Sequence, residues 1–167
     1  MAAESLRNRL GRPDRRDLLC ALGAVVLVNL IGASPAFVFG ADTGWIDEPW
    51  FFPPEWAFGV AWTLLFTLMG IALWLVARRG LDRRPVQLAV GLFAAQMLVN
   101  VAWTPAFFGL QSPGLGLVVI AALWVLIVAT IWAFDRVDRV AAMLLVPYLA
   151  WASFAAVLNF EIWRLMG

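Results

Sequence analysis

The run Val99–Leu110, V-N-V-A-W-T-P-A-F-F-G-L, lies inside the 50 residues Pro85 to Phe134, which hold no charged residue. A hydrocarbon core requires about 20 apolar residues for each helical crossing. The run therefore predicts two crossings, split by the uncharged turn Gln111-Ser112-Pro113-Gly114. Within it Asn100, Trp103, Thr104 and Phe107 fall at helical spacings of three and four, so one face carries an amide, an indole, a hydroxyl and a phenyl ring. Pro105 removes a backbone donor in the middle of that face and predicts a bend. Two readings compete for such a face. It is either the wall of a ligand pocket in a helix bundle or a set of packing residues with an interhelical hydrogen bond.

The rest of the chain extends the pattern. Of its 167 residues 63% are hydrophobic and 14% charged, against about 25% charged in a typical soluble domain. Mean hydropathy is +0.87. The charges are clustered, which leaves Leu18–Ala41 and Trp56–Ala77 as further charge-free runs of 24 and 22 residues. In lipid only helices and closed barrels satisfy every backbone polar group, and these runs are too long and alternate too little for barrel strands. The sequence predicts an all-α integral membrane protein, a bundle of five transmembrane helices at about 18–41, 56–77, 85–110, 114–134 and 140–163. Residues 1–17 read as a cytoplasmic N-terminal segment and 18–167 as the membrane domain. A basic start before an apolar run also resembles a secretory signal with Ala33 as a cleavage position. Against this, the apolar run continues past Pro35 through Phe39.

All 12 basic residues are Arg. Five precede Asp17, four lie in the second loop and two in the fourth, while the first and third loops have none and the C-terminal end has one. The positive-inside rule then sets the N-terminus inside and the C-terminus outside.

Absences exclude several function classes. Without Lys there is no Schiff-base or Lys-nucleophile chemistry. Without His there is no Ser-His-Asp triad, Cys-His pair or imidazole metal site. Cys20 stands alone, so the chain has no intramolecular disulfide and no Cys-x-x-Cys site. No catalytic constellation, metal site or cofactor is expected. The net charge of +1 makes no case for nucleic acid. Five spans give no inverted repeat, and no intramembrane acid points to ion coupling, so a transporter with its own alternating access is disfavoured.

Other segments carry weaker signals. Asp42–Glu55 is a loop with four acids, no base and Pro49, Pro53 and Pro54. Its Trp45, Trp50, Phe51 and Phe52 suit an interfacial aromatic belt or a lid over a cavity. Phe58, Trp62, Phe66 and Gly70 share one face of the second helix. Small residues at Gly32, Ala33, Ser34 and Ala36, and at Gly91 and Ala95, predict close helix contacts. On the fifth span, which Pro147 interrupts, Trp151, Ala155 and Asn159 lie one turn apart. Asn159 is near the exit, where capping or water contact would account for it.

Four pieces together resemble the TspO/MBR family, the tryptophan-rich sensory proteins and the mitochondrial translocator protein (peripheral benzodiazepine receptor). They are P-x-x-x-P-P at Pro49–Pro54, W-A-F-G-V-A-W-T at Trp56–Thr63, N-V-A-W-T-P-A-F-F-G at Asn100–Gly109 and P-Y-L-A-W-A-S-F-A-A-V-L-N-F-E-I-W-R at Pro147–Arg164. The resemblance implies a five-helix fold, commonly a homodimer, that binds porphyrins, cholesterol-like lipids and benzodiazepine-type ligands in a pocket covered by the first loop. Mapped by motif, that pocket would take Trp62 and Phe66 from helix two. Asn100, Trp103, Phe107 and Phe108 would come from helix three, and Trp151, Phe154 and Ala155 from helix five. Thr104, on the same face as Asn100, is a further ligand-binding candidate that could orient a polar group.

The chain also departs from the family pattern. Where members often carry Trp-Tyr and then Lys ahead of the first-loop proline, this sequence reads Asp42-Thr43 and Glu48. A lid contact and a basic contact to acidic ligands are therefore expected to be missing. Gly59-Val60 replaces a family Gly-Pro, which should leave helix two straighter. Leu158, Phe160 and Arg164 give a cholesterol-recognition pattern with Phe in place of Tyr, a weak signal even when complete.

The expected function is that of a membrane sensor or binding protein for porphyrins (tetrapyrroles) or related flat hydrophobic ligands, with a role in their transport or regulation. The alternatives are light-dependent porphyrin breakdown through Trp62, Trp103 and Trp151, or a sterol- or lipid-binding translocator. Expected partners are the small molecule, the lipid bilayer and a second copy of the chain, in a prokaryotic cell membrane.

Overall fold

The structure is a computed structural model and describes residues 15–166. Arg7, Arg9, Arg12 and nearly all of the expected N-terminal segment lie outside the described residues. Every regular element described is helical.

Helix α1, Arg15–Phe39, starts three residues before the charge-free run. Asp17 in its first turn suits the positive helix end. It passes unbroken through Ala33 and Pro35. Gly40 then stops it in the left-handed region (φ 71°), its amide donating to the Ala36 carbonyl at 3.0 Å. Helix α2, Glu55–Ala77, follows an extended Pro54.

Helix α3, Arg84–Thr104, has Pro85 in its first turn, where the missing N–H costs nothing. The bend expected at Pro105 takes the form of a π turn over Pro105–Gly109, closed by the Leu110 amide donating to the Pro105 carbonyl at 2.9 Å. Gln111, at φ 47°, turns the chain out of it. Helix α4, Pro113–Asp135, is capped by Ser112, whose Oγ accepts from the Leu115 amide at 3.3 Å. The fifth span is two helices, α5 (Arg139–Leu144) and α6 (Val146–Met166). The break falls at Leu145, two residues before Pro147, because Pro147 offers no N–H to the Met143 carbonyl.

Five stretches are long and apolar enough to cross a membrane: α1, α2, α3 with its π turn, α4, and α5 with α6. Their outward faces are apolar too, as at Leu30, Leu98, Val118 and Val157. A soluble protein would not leave such faces in water.

Glycines decide where helices approach. A Cβ on Gly70 would sit 2.5 Å from the Val25 Cα, so α1 and α2 touch backbone to backbone there. A Cβ on Gly32 would lie 2.3 Å from the Phe66 ring. The close contact expected at Gly91 is absent from the described chain: Gly91 is exposed, with nothing outside its own helix within 4 Å of its Cβ position.

Helix α1 packs on α2 and α3, α3 on α4, and α4 on both α5 and α6. Helix α2 packs on α5 but not closely on α6. Beyond the break the fifth span meets α2 through aromatic rings, Trp62 with Tyr148 and Trp151, and not by close backbone packing. At the Arg-rich end the interior is filled by Val76, Val86, Ala89, Ala141 and the stacked pair Phe93–Phe134, with centroids 5.9 Å apart. At the first-loop end the interior is hollow.

The second and fourth loops are joined at the filled end by Arg79 and Asp138. The Arg79 Nε donates to Asp138 Oδ2 at 3.1 Å, while Asp138 Oδ1 caps α5 by accepting from the Val140 and Ala141 amides at 3.0 and 3.2 Å. Burial alone would raise the Asp138 pKa, but the hydrogen bonds from Arg79 and those two amides, with the guanidinium charge, outweigh it and hold the carboxyl below its usual range.

Candidate functional site: a covered aromatic cavity

A cavity of about 650 Å³ lies between α1, α2, α3, α4 and α6 under the first loop, within the ~300–1,000 Å³ range of small-molecule sites. It exists because α2 and α6 diverge while large aromatics hold the walls apart. From α1 come Asn29, Gly32, Ala33 and Ala36, residues small enough to leave space. Helix α2 contributes Phe58, Trp62, Thr63 and Phe66. Its Trp62 ring stacks on Phe66 at 5.0 Å and meets Trp151 edge-on at 6.5 Å.

Asn100, Trp103, Thr104, Phe107 and Phe108 all line the cavity, so the face read from the opening sequence turns inward as one surface. Trp103 stacks on Phe107 at 4.9 Å and 17°, and Phe108 stands edge-on to both rings. The π turn keeps this triplet facing inward past Pro105. Helix α6 adds Trp151, Ala155 and Asn159. Phe154 does not reach the lining; it packs behind the wall on Trp151 at 5.6 Å and Phe51 at 6.4 Å. Nine of the ten residues read from the sequence therefore share the cavity.

The first loop covers the opening. Asp42 Oδ1 accepts from the Gly44 amide at 3.0 Å and the Ile46 amide donates to the Thr43 carbonyl at 3.1 Å, so the loop is folded back on itself. Trp45 lies on Phe107 at 5.4 Å and Phe52 on Phe58 at 5.6 Å. Asp42, Thr43, Ile46 and Phe52 line the cavity from the loop, while Trp45 packs against Phe107. Trp50 instead points outward, 96% exposed, as an interfacial anchor would. Belt and lid divide this loop between them.

Polar side chains between α3 and α6 were only partly legible. Asn100 Nδ2 donates to the Tyr148 hydroxyl at 2.8 Å, and Tyr148 donates to Gln96 Oε1 at 2.9 Å. Trp103 Nε1 donates to Asn159 Oδ1 at 3.2 Å, and Asn159 Nδ2 to the Pro113 carbonyl at 2.7 Å. Asn159 is thus a buried bridge between three helices, not a cap or a water-facing group. The amide nitrogen of Asn100 is likewise committed to the fold. Gln96 and Tyr148 were missed as polar partners, although Gln96 at i−4 from Asn100 was a readable signal.

The comparisons with known proteins agree with this architecture. The sequence profile of the TspO/MBR family matches residues 21–164. The tryptophan-rich protein TspO of Chlorobaculum tepidum is 49% identical over 118 residues, 71% of this chain and 75% of the relative. Protein CrtK of Rhodobacter capsulatus is 38% identical over 147 residues, 86% of this chain and 92% of the relative. The human translocator protein is 36% identical over 133 residues, 77% and 78% of the two chains. With five membrane-length helices and this match along almost its whole described length, the chain is a multi-pass membrane protein and belongs to the TspO/MBR family.

Proposed function

We propose that this protein binds porphyrins or related flat hydrophobic ligands in the covered cavity, as a sensor or as a step in their transport or regulation. The observation that carries the reading is a lidded space of about 650 Å³ walled by the Trp62–Phe66 and Trp103–Phe107 stacks and by Trp151. A flat apolar macrocycle suits indole and phenyl faces, and each good aromatic pair contributes about 0.5–1.5 kcal/mol beyond area burial. The cavity has no imidazole, so a ring held by shape and stacking, such as a free-base porphyrin, fits better than ligated haem. Relatives named as a sensory protein and as translocator proteins are consistent with ligand handling.

The Arg distribution supports an N-terminus inside and a lid outside. A homodimer, which family membership favours, would find a smooth outward face at Gly91.

Titrating protoporphyrin IX against tryptophan fluorescence in detergent tests the reading. Saturable quenching is expected, weaker in Trp103→Phe. Absence of saturable quenching would sink the proposal, and an unchanged Trp103→Phe curve would remove that ring from the site.

A further inference from the structure

We infer that the cavity selects its ligand by charge: it takes a flat apolar molecule whose polar end is neutral or cationic, and disfavours carboxylates. The inference rests on the cavity being the ligand site. Two independent features lead to it. The first is formal charge. Asp42 and Glu55 line the opening, and neither makes an ion pair among the described residues. Asp47 and Glu48 add two further acids to the same loop. Among the described residues no Arg lines the cavity. At this end of the described bundle the basic side chain is Arg164, and Glu161 holds it through hydrogen bonds of 2.9 and 2.7 Å.

The second feature is hydrogen-bond polarity. The amide nitrogens on the lining already donate inside the protein: Asn29 to the Val25 carbonyl at 2.9 Å, Asn100 to Tyr148 and Asn159 to Pro113. Trp103 Nε1 is committed to Asn159, and the Thr63 hydroxyl donates to the Gly59 carbonyl at 2.8 Å. By contrast, no hydrogen bond among the described residues reaches the side-chain oxygens of Asn29 and Asn100. The donors left without a protein partner among the described residues, the indole N–H groups of Trp62 and Trp151 and the hydroxyls of Thr43 and Thr104, are neutral, so the cavity offers acceptors, negative charge and no cationic donor. A carboxylate entering it would lose its hydration and meet like charge at the lid. An ammonium would also lose hydration but meet opposite charge at the lid, and an amide N–H or ester brings no formal charge to desolvate.

Three porphyrins with one macrocycle and different side-chain charge test this in a nonionic detergent. They are protoporphyrin IX, its dimethyl ester, and an analogue with ammonium groups in place of the carboxylates. The ester and the ammonium form are expected to bind at least about tenfold more tightly than the dicarboxylate, a ratio that falls as salt rises. Asp42→Asn with Glu55→Gln should close most of that gap, chiefly by improving the dicarboxylate. Asn keeps the acceptor that Gly44 uses, so the loop is expected to stay folded. If the dicarboxylate binds as tightly as the ester and the double variant changes neither, the charge inference is overturned while the cavity remains the site. If none of the three quenches saturably, the binding reading falls and takes the inference with it.

Discussion

The two ends of the bundle are built from the same kinds of residue and do opposite things with them. At the Arg-rich end Phe93 and Phe134 stack on one another, and small residues such as Ala89 and Ala141 let the helices close around them. At the first-loop end Trp62 with Phe66 and Trp103 with Phe107 stack just as well, and Trp151 meets Trp62 edge-on, but along the walls of a space they do not fill. The difference lies in the backbone. Helix α2 stays against α5 and separates from α6 after the break before Pro147, and the π turn at Pro105 keeps α3 facing the gap. Aromatic content therefore does not mark a pocket in this fold; diverging helices around aromatics do.

That contrast predicts that aromatic truncations at the two ends fail differently. Phe134→Ala removes a fully buried ring from close packing and should cost about 3–5 kcal/mol. It should show as a large loss of stability in detergent unfolding, with ligand affinity of the surviving folded protein little changed. Trp151→Ala, on a wall that already faces open space, should cost less stability and most of the porphyrin affinity. Equal stability losses at both sites would erase the distinction between a filled end and a hollow one.

Tyr148 lies at the seam, bonded to Gln96 and Asn100 and edge-on to Trp62 at 6.3 Å. Tyr148→Phe keeps the ring but leaves an amide donor and an amide acceptor buried without partners. A cost of about 1–2 kcal/mol is expected, toward the upper range for hydrogen bonds between membrane helices. A neutral effect in the same unfolding assay would show that the α3–α6 spacing is set by packing alone.

The smallest effect belongs to the Arg79–Asp138 link at the filled end. Because Asp138 is held below the usual carboxylate range, its contribution is fully present above its unfolded value near pH 4 and is lost as pH falls through the lower folded value. Half of the Arg79 side chain is exposed, so solvent and salt weaken the pair. Stability should decline modestly below about pH 4, and Asp138→Asn should flatten that decline while lowering stability at pH 7. An Asp138→Asn variant with the wild-type acid profile would place the dependence elsewhere.

The five spans were legible because charge is nearly absent from hydrocarbon-length runs, and helix boundaries moved by only a few residues in the structure. The cavity face of α3 was legible from spacing, since Asn100, Trp103, Thr104 and Phe107 can share a surface only on a helix. Which partners those residues meet was not, because periodicity within one helix carries no information about its neighbours. Asn159 looked like an exit cap and is a buried bridge for that reason. Phe154 shares a motif with Trp151 but lies about 60° round the helix from it, on the side away from the lining residues Ala155 and Asn159, and so packs on Trp151 and Phe51 instead. Gly32 and Gly91 both read as close-contact positions, yet only Gly32 makes one, against Phe66, and Gly70 makes another against Val25, because approach depends on what stands opposite.

The central claim, that the first-loop end is hollow in order to hold a ligand, is tested most directly by filling it. Ala155 lines the cavity from α6 and is half-buried, so Ala155→Phe places a ring in open space without displacing a packed side chain. Porphyrin binding to this variant, followed by the shift of the porphyrin absorption band, should be abolished or weakened at least about tenfold. Stability should stay the same or rise as the void is filled. A plugged variant that unfolds like the wild type and binds the dimethyl ester with unchanged affinity would contradict the account.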